Sequence, residues 1–515
     1  MQIVVKNQAC SSVQEVRRYI ENSWSALRRT EASVVKFGND IKVAADERVR
    51  VYVPPNVSPE AIADRFRNQL DSSDFQKMEV LQLPERGEPS KPGLLYLPNP
   101  YIVPGGRFNE MYGWDSYFIV RGLLQDGQIE LAKGMTDNLI FEVRHYGKVL
   151  NANRTYYLTR SQPPFLSSMV REVYGRTHDR AWLQDTIPAL EDYYRYWTSE
   201  PHLTPETGLS RYEGGADTPA PEVLASESDI HGRNDYERIR RYFSTHNVET
   251  YQKSRFYDEA TGQLTPLFYR ADRAMRESGF DPSSRFGPFS AAILDYNPVD
   301  LNSLLYLMET DVAAIHKELG RAGEAGDWTA RAQRRAEAIN RLMWDEPAGL
   351  FFDYDLRNHR RSHYKFLTAF YPLWTGLASQ EQASRVNRNL ALFDRPGGLQ
   401  TSAHRSGDQW DAPFGWAPLQ LIAAEGLRRY GFDHAADRIS IEFLSMLVQD
   451  FRKHKTLREK YDVVTLRSDL AAGLKFGYSS NEVGFGWTNA VFEVLYAEFS
   501  PSAREHLNQT CRTGH

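Results

Sequence analysis

The stretch PGGRFNEMYGWDSY occupies residues 104–117 and joins a glycine-rich loop to the beginning of a helical pattern. Its paired glycines let the backbone approach a ligand closely, and Arg107 supplies a planar set of hydrogen-bond donors. Trp114 stands beside Asp115, so an aromatic face adjoins a hydrogen-bond acceptor. Sugar rings, which carry both hydroxyls and an apolar face, require this mixture. On composition alone, a loop packed by aromatic rings at the start of a helix is an equally good interpretation.

Helical periodicity dominates the chain on both sides of this stretch. Apolar residues at spacings of three and four predict a first helix from about Ser12. The further predicted helices are Ala61–Leu70, Tyr117–Tyr146, Trp182–Trp197, Leu301–Leu319, Trp328–Met343, Gln380–Leu392, Pro418–Tyr430, Ala435–Phe451 and Thr488–Phe499. Segments that contain glycine and proline separate these helices, and such loops commonly carry binding and catalytic residues. Helices that alternate with functional loops favour helix hairpins closed into an α/α barrel.

The sequence predicts one domain over residues 1–515, because no interval is long, polar and simple enough to be a linker. Residues 1–97 are expected to form N-terminal helices that pack on the barrel, and residues 500–515 a tail. The charged stretch HGRNDYERIRRYF, residues 231–243, is interpreted as the solvated face of a helix.

Charge and composition exclude several classes of protein. The chain has 62 Lys+Arg against 67 Asp+Glu, a formal net charge of −5 and 41% hydrophobic residues. Without a basic run interleaved with aromatics, nucleic acid is not an expected partner. Because no apolar run reaches the roughly 18 residues of a spanning helix, and the start lacks the pattern of a secretory signal, we expect no membrane association and a cytoplasmic location.

Neither a metal nor a cofactor is expected. The two cysteines, Cys10 and Cys511, lie near opposite ends of the chain, which excludes a disulfide framework and fits a reducing compartment. The HExxH, CxxC, P-loop and dinucleotide motifs are missing from the sequence. Asp353-Tyr354-Asp355 has the DxD spacing of sugar-nucleotide transferases but is interpreted as a pair at a strand or helix end, and His404 as a packed or solvated residue.

A second stretch, QWDAPFGWAP at residues 409–418, repeats the combination of aromatic rings and a carboxylate. Together the two stretches resemble the signature motifs of the trehalases, glycoside hydrolase family 37, in the forms PGGRFxExYxWDxY and QWDxPxGWxP. The resemblance is strongest over residues 98–491 and is closest to the neutral, cytosolic branch. It implies an all-α (α/α)6 barrel that hydrolyses the disaccharide α,α-trehalose to two glucose molecules with inversion and without a cofactor.

The resemblance also implies the catalytic pair. Asp281 ends the sequence SGFD, at the position of the family's acid, and Glu459 begins EKY, at the position of its base. Inverting hydrolysis requires one protonated and one ionised carboxyl group, about 6.5–9.5 Å apart. The aromatic loop before Asp281 favours a raised pKa, and the basic neighbours of Glu459 favour its ionised form. Without the resemblance, both would be interpreted as surface or salt-bridged residues.

Further positions match the residues that line the family's sugar subsites. They are Arg107, Trp114, Asp115, Asn151, Arg160, Gln162, Glu222 and Gly279. Two positions depart from the pattern, because Ala220 stands where the bacterial branch has an arginine, and KFGY, residues 475–478, stands where the family has a Glu-Tyr pair in its lid. Lys475 would add a cation that suits an anionic glucoside; alternatively, it points to solvent and Glu482 takes over as hydroxyl acceptor.

Other functions remain open at the level of the sequence. Another inverting barrel enzyme, such as a hydrolase of glucosylglycerate or mannosylglycerate, would use similar residues. A disaccharide phosphorylase is disfavoured, because phosphate would replace the activated water and a carboxylate at Glu459 would not be needed. A catalytically inactive sugar-binding sensor is disfavoured because both carboxylates are retained.

Overall fold

The computed structural model of the chain describes residues 11–37, 48–85, 87, 89, 91–225, 231–470 and 481–513. Within these residues the chain is mainly helical. The α-helices are α1 (Ser11–Leu27), α2 (Val34–Phe37), α3 (Pro59–Gln69), α4 (Ser72–Phe75), α5 (Gly113–Gln125), α6 (Ile129–Tyr146), α7 (Leu166–Thr177), α8 (Arg180–Trp197), α9 (Pro221–Leu224), α10 (Asp235–Thr245), α11 (Pro266–Glu277), α12 (Val299–Glu318), α13 (Ala322–Met343), α14 (Tyr371–Trp374), α15 (Gln380–Arg388), α16 (Ala417–Arg429), α17 (Asp433–His454), α18 (Gly486–Glu498) and α19 (Pro501–Thr513).

Six of these helices form the closed inner wall of a barrel. Helices α5, α7, α12, α14, α16 and α18 contact one another in that order, and α18 contacts α5 again. Helices α6, α8, α13 and α17 lie outside α5, α7, α12 and α16, and α1 and α19 pack against α17. The predicted (α/α)6 barrel is therefore confirmed.

The inner and outer helices differ in the way the sequence buries them. In the inner helix α5 every residue from Gly113 to Val120 is buried, which requires side chains that are apolar on all sides or hydrogen-bonded. The outer helix α13 buries residues only at helical spacing, among them Trp328, Ala332 and Arg335. Amphipathic periodicity is consequently a clear signal for outer helices and a weak one for inner helices.

Short strands lie in the loops at the ends of the helices. They are β1 (Arg28–Arg29), β2 (Val49–Val53), β3 (Met78–Gln82), β4 (Leu94–Leu95), β5 (Tyr101–Ile102), β6 (Leu203–Thr204), β7 (Leu209–Ser210), β8 (Tyr257–Asp258), β9 (Gln263–Leu264), β10 (Tyr296–Asn297), β11 (Trp344–Asp345), β12 (Leu350–Phe351), β13 (Tyr354–Asp355), β14 (Arg360–Arg361), β15 (Asp394–Arg395), β16 (Gly398–Leu399), β17 (Phe414–Trp416) and β18 (Lys460–Asp462). Strands β17 and β18 pair antiparallel, with Trp416 opposite Lys460. This pairing joins the second signature stretch to the EKY sequence.

The N-terminal segment contains more than the expected helices. Strands β2, β3 and β4 form a parallel sheet in the order β3-β2-β4, and the connection from β2 to β3 contains α3 and α4. The expectation of helices alone over residues 1–97 is therefore wrong here, because VRVYV at 49–53 is a short run rich in β-branched residues that helical periodicity does not detect. A core of apolar side chains extends from Val13 to Leu507, and the sheet has a smaller core of its own. The single domain stays a prediction.

Other elements also differ from the sequence-based expectation. The pattern from Tyr117 to Tyr146 is two helices, since the chain turns at Gly127, which has a φ of 74°. Helix α10 buries Tyr236, Ile239 and Phe243, so the stretch 231–243 is not simply a solvated face. Helix α19 takes most of the expected tail and contains Cys511, whereas Cys10 lies outside the described residues. In the described part of the chain, no helix combines the length and apolar character needed to cross a membrane.

Candidate active site

The loop that carries Asp281 begins where α11 ends. Gly279 has a φ of 77°, a left-handed conformation that favours glycine, and a Cβ atom there would lie 2.9 Å from the ring of Trp114. The hydroxyl of Ser278 donates to the carbonyl of Met275 at the end of the helix. The SGFD sequence thus provides a helix end, a turn that only glycine fits well, and an acidic residue against an aromatic wall.

Asp281 has the properties of a proton donor. Its side chain is 31% exposed, and Nη1 of Arg276 lies 3.2 Å from Oδ2. Burial raises the pKa of Asp281 to about 7, although the cations of Arg276 and Arg160 oppose this rise. A carboxyl group with such a pKa is protonated in much of the protein at neutral pH, as a general acid must be.

Glu459 lies immediately before β18 and is only 2% exposed. Its backbone N–H donates to the carbonyl of Glu482 at 3.0 Å, and its own carbonyl accepts from the indole of Trp487 at 3.2 Å. Nζ of Lys460 lies 3.6 Å from its Oε2. The backbone of Glu459 is therefore held from two sides, and a cation adjoins its carboxylate.

Asp115 shares a charged region with both of these carboxyl groups. Burial raises its pKa well above the usual range, and the negative charges of Glu459 and Asp281 raise it further. These interactions place three carboxyl groups, from α5, the loop after α11 and the start of β18, near one another. The proximity of other carboxyl groups therefore favours the protonated form of Asp115.

Arg107 and Glu482 connect the glycine-rich loop to the segment before α18. The backbone N–H of Arg107 donates to Oε1 of Glu482 at 3.2 Å, and its Nε lies 3.1 Å from Oε2. A Cβ atom at Gly105 would come within 2.5 Å of Cγ of Glu482, so this glycine makes room for the side chain. Lys475 and the rest of the expected lid at 475–478 lie outside the described residues.

Arg160 and Glu222 form a buried pair with spare hydrogen-bonding capacity. Nη2 of Arg160 donates to Oε1 of Glu222 at 2.5 Å. Within the described residues, Nε and Nη1 of Arg160 and Oε2 of Glu222 are buried and have no hydrogen-bond partner. Unpartnered buried polar atoms are costly, and a bound polyhydroxyl ligand would supply their partners.

Asn151 and Gln162 have structural contacts beside this pair. Nδ2 of Asn151 donates to the carbonyl of Arg276 at 3.4 Å, and Oε1 of Gln162 accepts from the backbone N–H of Trp114 at 2.9 Å. Both side chains therefore link the segment after α6 to the elements that carry the carboxyl groups.

Aromatic rings enclose this region. The ring of Trp114 lies 5.7 Å from Phe280 and 5.7 Å from Trp487, and Trp410 stacks on Trp416 at 3.8 Å. The ring of Trp114 also lies 5.8 Å from that of Trp410, so the two signature stretches meet in one aromatic cluster. Its apolar side chains surround the charged groups, which lowers the local dielectric constant and strengthens the electrostatic interactions between these groups.

Three residues of the site were not predicted as functional from the sequence. Arg276 provides a cation next to Asp281. Lys460 donates from Nζ to Oε1 of Gln409 at 3.0 Å, and Nε2 of Gln409 donates to the carbonyl of Asp281. Their positions inside or beside recognised motifs were the available signal, but these contacts join distant parts of the chain.

The remaining candidates have structural roles. Asp353 pairs with Arg285, Asp355 lies in β13, and His404 stacks on Tyr364 at 4.0 Å. Among the described residues, no group of three or more histidine, cysteine or acidic side chains is arranged to hold a metal ion.

A helical barrel with paired acidic groups, arginines and an aromatic wall at one site is the arrangement of a glycoside hydrolase. A model of the trehalase family matches residues 2–500, and the chain belongs to that family.

Its relatives agree with this assignment. The cytosolic neutral trehalase of Neurospora crassa is 34% identical over 92% of this chain and 71% of that protein. The cytosolic neutral trehalase of Saccharomyces cerevisiae is 35% identical over 88% of this chain and 63% of that protein. The solved structure of neutral trehalase Nth1 from Saccharomyces cerevisiae has a TM-score of 0.80 at 33% identity, over 97% of this chain and 96% of that one. A GH63 mannosylglycerate hydrolase from Thermus thermophilus shares the fold alone, with a TM-score of 0.52 at 19% identity over 77% and 96%.

Proposed function

We propose that this protein hydrolyses α,α-trehalose to two glucose molecules with inversion of configuration. The observation that carries the proposal is the pairing of a carboxyl group whose pKa is raised to about 7, Asp281, with the buried Glu459 in the same charged cluster. Membership of the trehalase family supports the substrate, and relatives named cytosolic neutral trehalase support a cytosolic location.

In this mechanism Asp281 gives its proton to the glycosidic oxygen, and Glu459 accepts a proton from the water that attacks the anomeric carbon from the opposite face. One glucose leaves with its configuration unchanged, and the other is formed with the inverted configuration. Arg276 and Arg160 stabilise the carboxylate that forms on Asp281 once its proton is transferred, because both cations favour its ionised form.

The residues expected to bind the sugar have suitable chemistry. Arg160 and Glu222 keep buried polar atoms for hydroxyl groups, Asp115 lies close to the carboxyl pair, and Arg107 lies close to Lys460. Trp114 contributes to the aromatic wall, and Gly279 allows that wall to approach the acid loop. Asn151 and Gln162 fix the backbone around them.

The alternatives have less support. The mannosylglycerate hydrolase resembles this chain only in fold. A sugar sensor would not require a carboxyl group with a pKa of about 7 beside a second buried acid.

The acid and base are tested with two substrates. We expect Asp281→Ala and Glu459→Ala each to lower kcat on trehalose by at least about a thousandfold, with the folded state retained. On α-glucosyl fluoride, whose leaving group needs little protonation, the Asp281 variant should lose far less, whereas the Glu459 variant should lose a similar amount on both. Equal losses of both variants on both substrates would refute the two roles.

The stereochemistry is tested by proton NMR of the anomeric region during the first seconds to minutes of the reaction. Inversion yields one α-glucose and one β-glucose from each trehalose. Two α-glucose molecules would indicate retention, which requires carboxyl groups only about 5–5.5 Å apart.

A further inference from the structure

Lys460 is a fully buried cation that lies beside both Glu459 and Trp416. Its side chain has 0% exposure, and Nζ lies 5.2 Å from the centre of the Trp416 ring and 3.6 Å from Oε2 of Glu459. Burying an ammonium group is costly unless it is paired and hydrogen-bonded. A lysine at this position therefore has to be maintained by specific contacts.

Gln409 provides the contact on the other side. It is 1% exposed, and its carbonyl accepts from the indole Nε1 of Trp416 at 2.9 Å, which fixes its backbone. The side-chain Oε1 accepts from Nζ of Lys460 at 3.0 Å, while Nε2 donates to the carbonyl of Asp281. Both ends of the amide are thus used, and a continuous chain of contacts runs from Glu459 through Lys460 and Gln409 to Asp281.

We propose that Lys460 and Gln409 are positioning residues that fix the separation of the two catalytic carboxyl groups. The inference deepens the proposed function and rests on its assignment of acid and base. Neither residue needs to contact the sugar, because each acts through a carboxyl group or its backbone.

The electrostatic surroundings are consistent with this role. Burial lowers the pKa of Lys460, while the negative charges of Glu459 and Asp281 raise it and Arg107 lowers it. Glu459 in turn faces Asp115 on α5. Lys460 thus places a positive charge 3.6 Å from the Glu459 carboxylate, in a region that also contains the carboxyl groups of Asp115 and Asp281.

The first experiment measures kcat and KM of Lys460→Met on trehalose and on α-glucosyl fluoride. We expect kcat to fall about tenfold or more on both substrates, with KM changed less than about threefold, since a displaced base affects the reaction more than binding.

The second experiment uses Gln409→Met, which retains the Lys460 cation but breaks the bridge to Asp281. It should lose about tenfold more kcat on trehalose than on α-glucosyl fluoride, because only trehalose needs an accurately placed acid. The double variant should lose less than the product of the single losses, since both remove one connection. Lys133→Met, which breaks the ion pair with Asp137 on α6, is the matched control and should behave as wild type.

The outcomes separate the inference from the proposed function. A Lys460→Met enzyme with wild-type kcat on both substrates, or a Gln409→Met enzyme with wild-type kcat on trehalose, would overturn the inference while wild type still hydrolyses trehalose. Should Lys460→Met fail to fold, the Gln409→Met comparison decides alone. A wild-type protein that releases no glucose from trehalose refutes the proposed function, and kcat of Lys460→Met on α-glucosyl fluoride still tests the inference. A wild-type protein that is inactive on both substrates would refute both the proposed function and this inference.

Discussion

Asp281 and Arg276 show how a single contact can set the working pH of this site. The acid must be protonated to act, so kcat/KM should fall as the pH rises through its pKa of about 7. Since the Arg276 cation lowers that pKa, Arg276→Gln should move the alkaline limb to higher pH by about one unit or more. The pH profile of kcat/KM on trehalose measures this shift, whatever loss of overall activity accompanies it.

The control for this variant is Arg195→Gln, which removes an exposed arginine paired with Asp192 on α8. Its alkaline limb should coincide with that of wild type. A limb that stays in place or moves to lower pH in Arg276→Gln would contradict the assignment of Asp281 as the acid.

Gly279 allows a second test on a single residue. Gly279→Ala forces an alanine to a φ of 77° and brings its Cβ within 2.9 Å of the Trp114 ring, whereas Gly127→Ala meets a φ of 74° with no atom within 4 Å. The control should cost about 1 kcal/mol of unfolding free energy and leave activity unchanged. Gly279→Ala should cost about 1–3 kcal/mol more and reduce kcat/KM at least tenfold, as the acid loop is displaced.

Urea denaturation and kcat/KM on trehalose measure both variants. Equal loss of stability and equal activity in the two would show that the Trp114 contact has no effect beyond backbone strain.

At the scale of the element, Glu277 at the end of α11 connects this helix to the segment that contains Arg160 and Ser161. This carboxylate accepts from the backbone N–H groups of Ser161 and Glu213, at 2.9 and 2.7 Å, and from Tyr196 and His202. Burial alone would raise its pKa, but His202 and these hydrogen bonds lower it below the ordinary 4.5. The ionised carboxylate therefore stabilises the junction between α11 and the segment of Arg160.

We predict that Glu277→Gln lowers the free energy of unfolding by about 3–5 kcal/mol at pH 7, because it breaks a buried charged network. Since the native pKa is depressed, this difference from wild type should be complete above about pH 4.5 and shrink as the pH falls through the native pKa. Urea denaturation at pH 7 and pH 4 measures it. Glu318→Gln, at an exposed glutamate that accepts from Tyr174, should stay within about 0.5 kcal/mol of wild type. A Glu277 effect as small as that of the control would be inconsistent with the network.

Apolar periodicity in the sequence predicts helices that bury one face. It is less informative about helices that are buried on all sides and about short strands. Helices such as α8 and α13 follow their apolar periodicity, whereas this periodicity does not identify α7. The apolar pattern from Tyr117 to Tyr146 continues through the turn at Gly127 and therefore does not separate the two helices there. Strands β2 and β3 of the parallel sheet have only five residues each. A search for helical periodicity cannot distinguish such short strands from loops.

The candidate site could be predicted in part for a different reason. Asp281 and Glu459 lie in short motifs that a resemblance identifies, whereas Gln409 and Lys460 are 51 residues apart and meet only because β17 pairs with β18. Arg276 contacts Asp281 through the turn that follows α11. Contacts made through the fold leave no local pattern, so these partners required the structure.

At the scale of the whole molecule, the ring of inner helices is joined by one cluster of charges. Arg121 on α5 lies 3.4 Å from Glu172 on α7, 2.7 Å from Glu425 on α16 and 3.8 Å from Glu498 on α18. The first and last helices of the ring thus meet through a guanidinium that also contacts two of their neighbours. The indole of Trp374 on α14 donates to Glu425 at 2.7 Å and includes a fifth inner helix.

This closure should make the stability of the barrel depend on pH. Burial and the negative charge of Glu425 raise the pKa of Glu498 to about 8, against an ordinary value of 4.5. Between these values the native state binds more protons than the unfolded state, so this group lowers the stability as the pH rises. Glu498→Gln cannot titrate and should therefore gain stability relative to wild type from pH 6 to pH 8. Urea denaturation at both pH values measures the difference, and Glu505→Gln, on the exposed face of α19, should show no such gain. A difference that stays constant, or falls with pH, would mean that Glu498 is already ionised in the native barrel and that Arg121 neutralises the cluster fully.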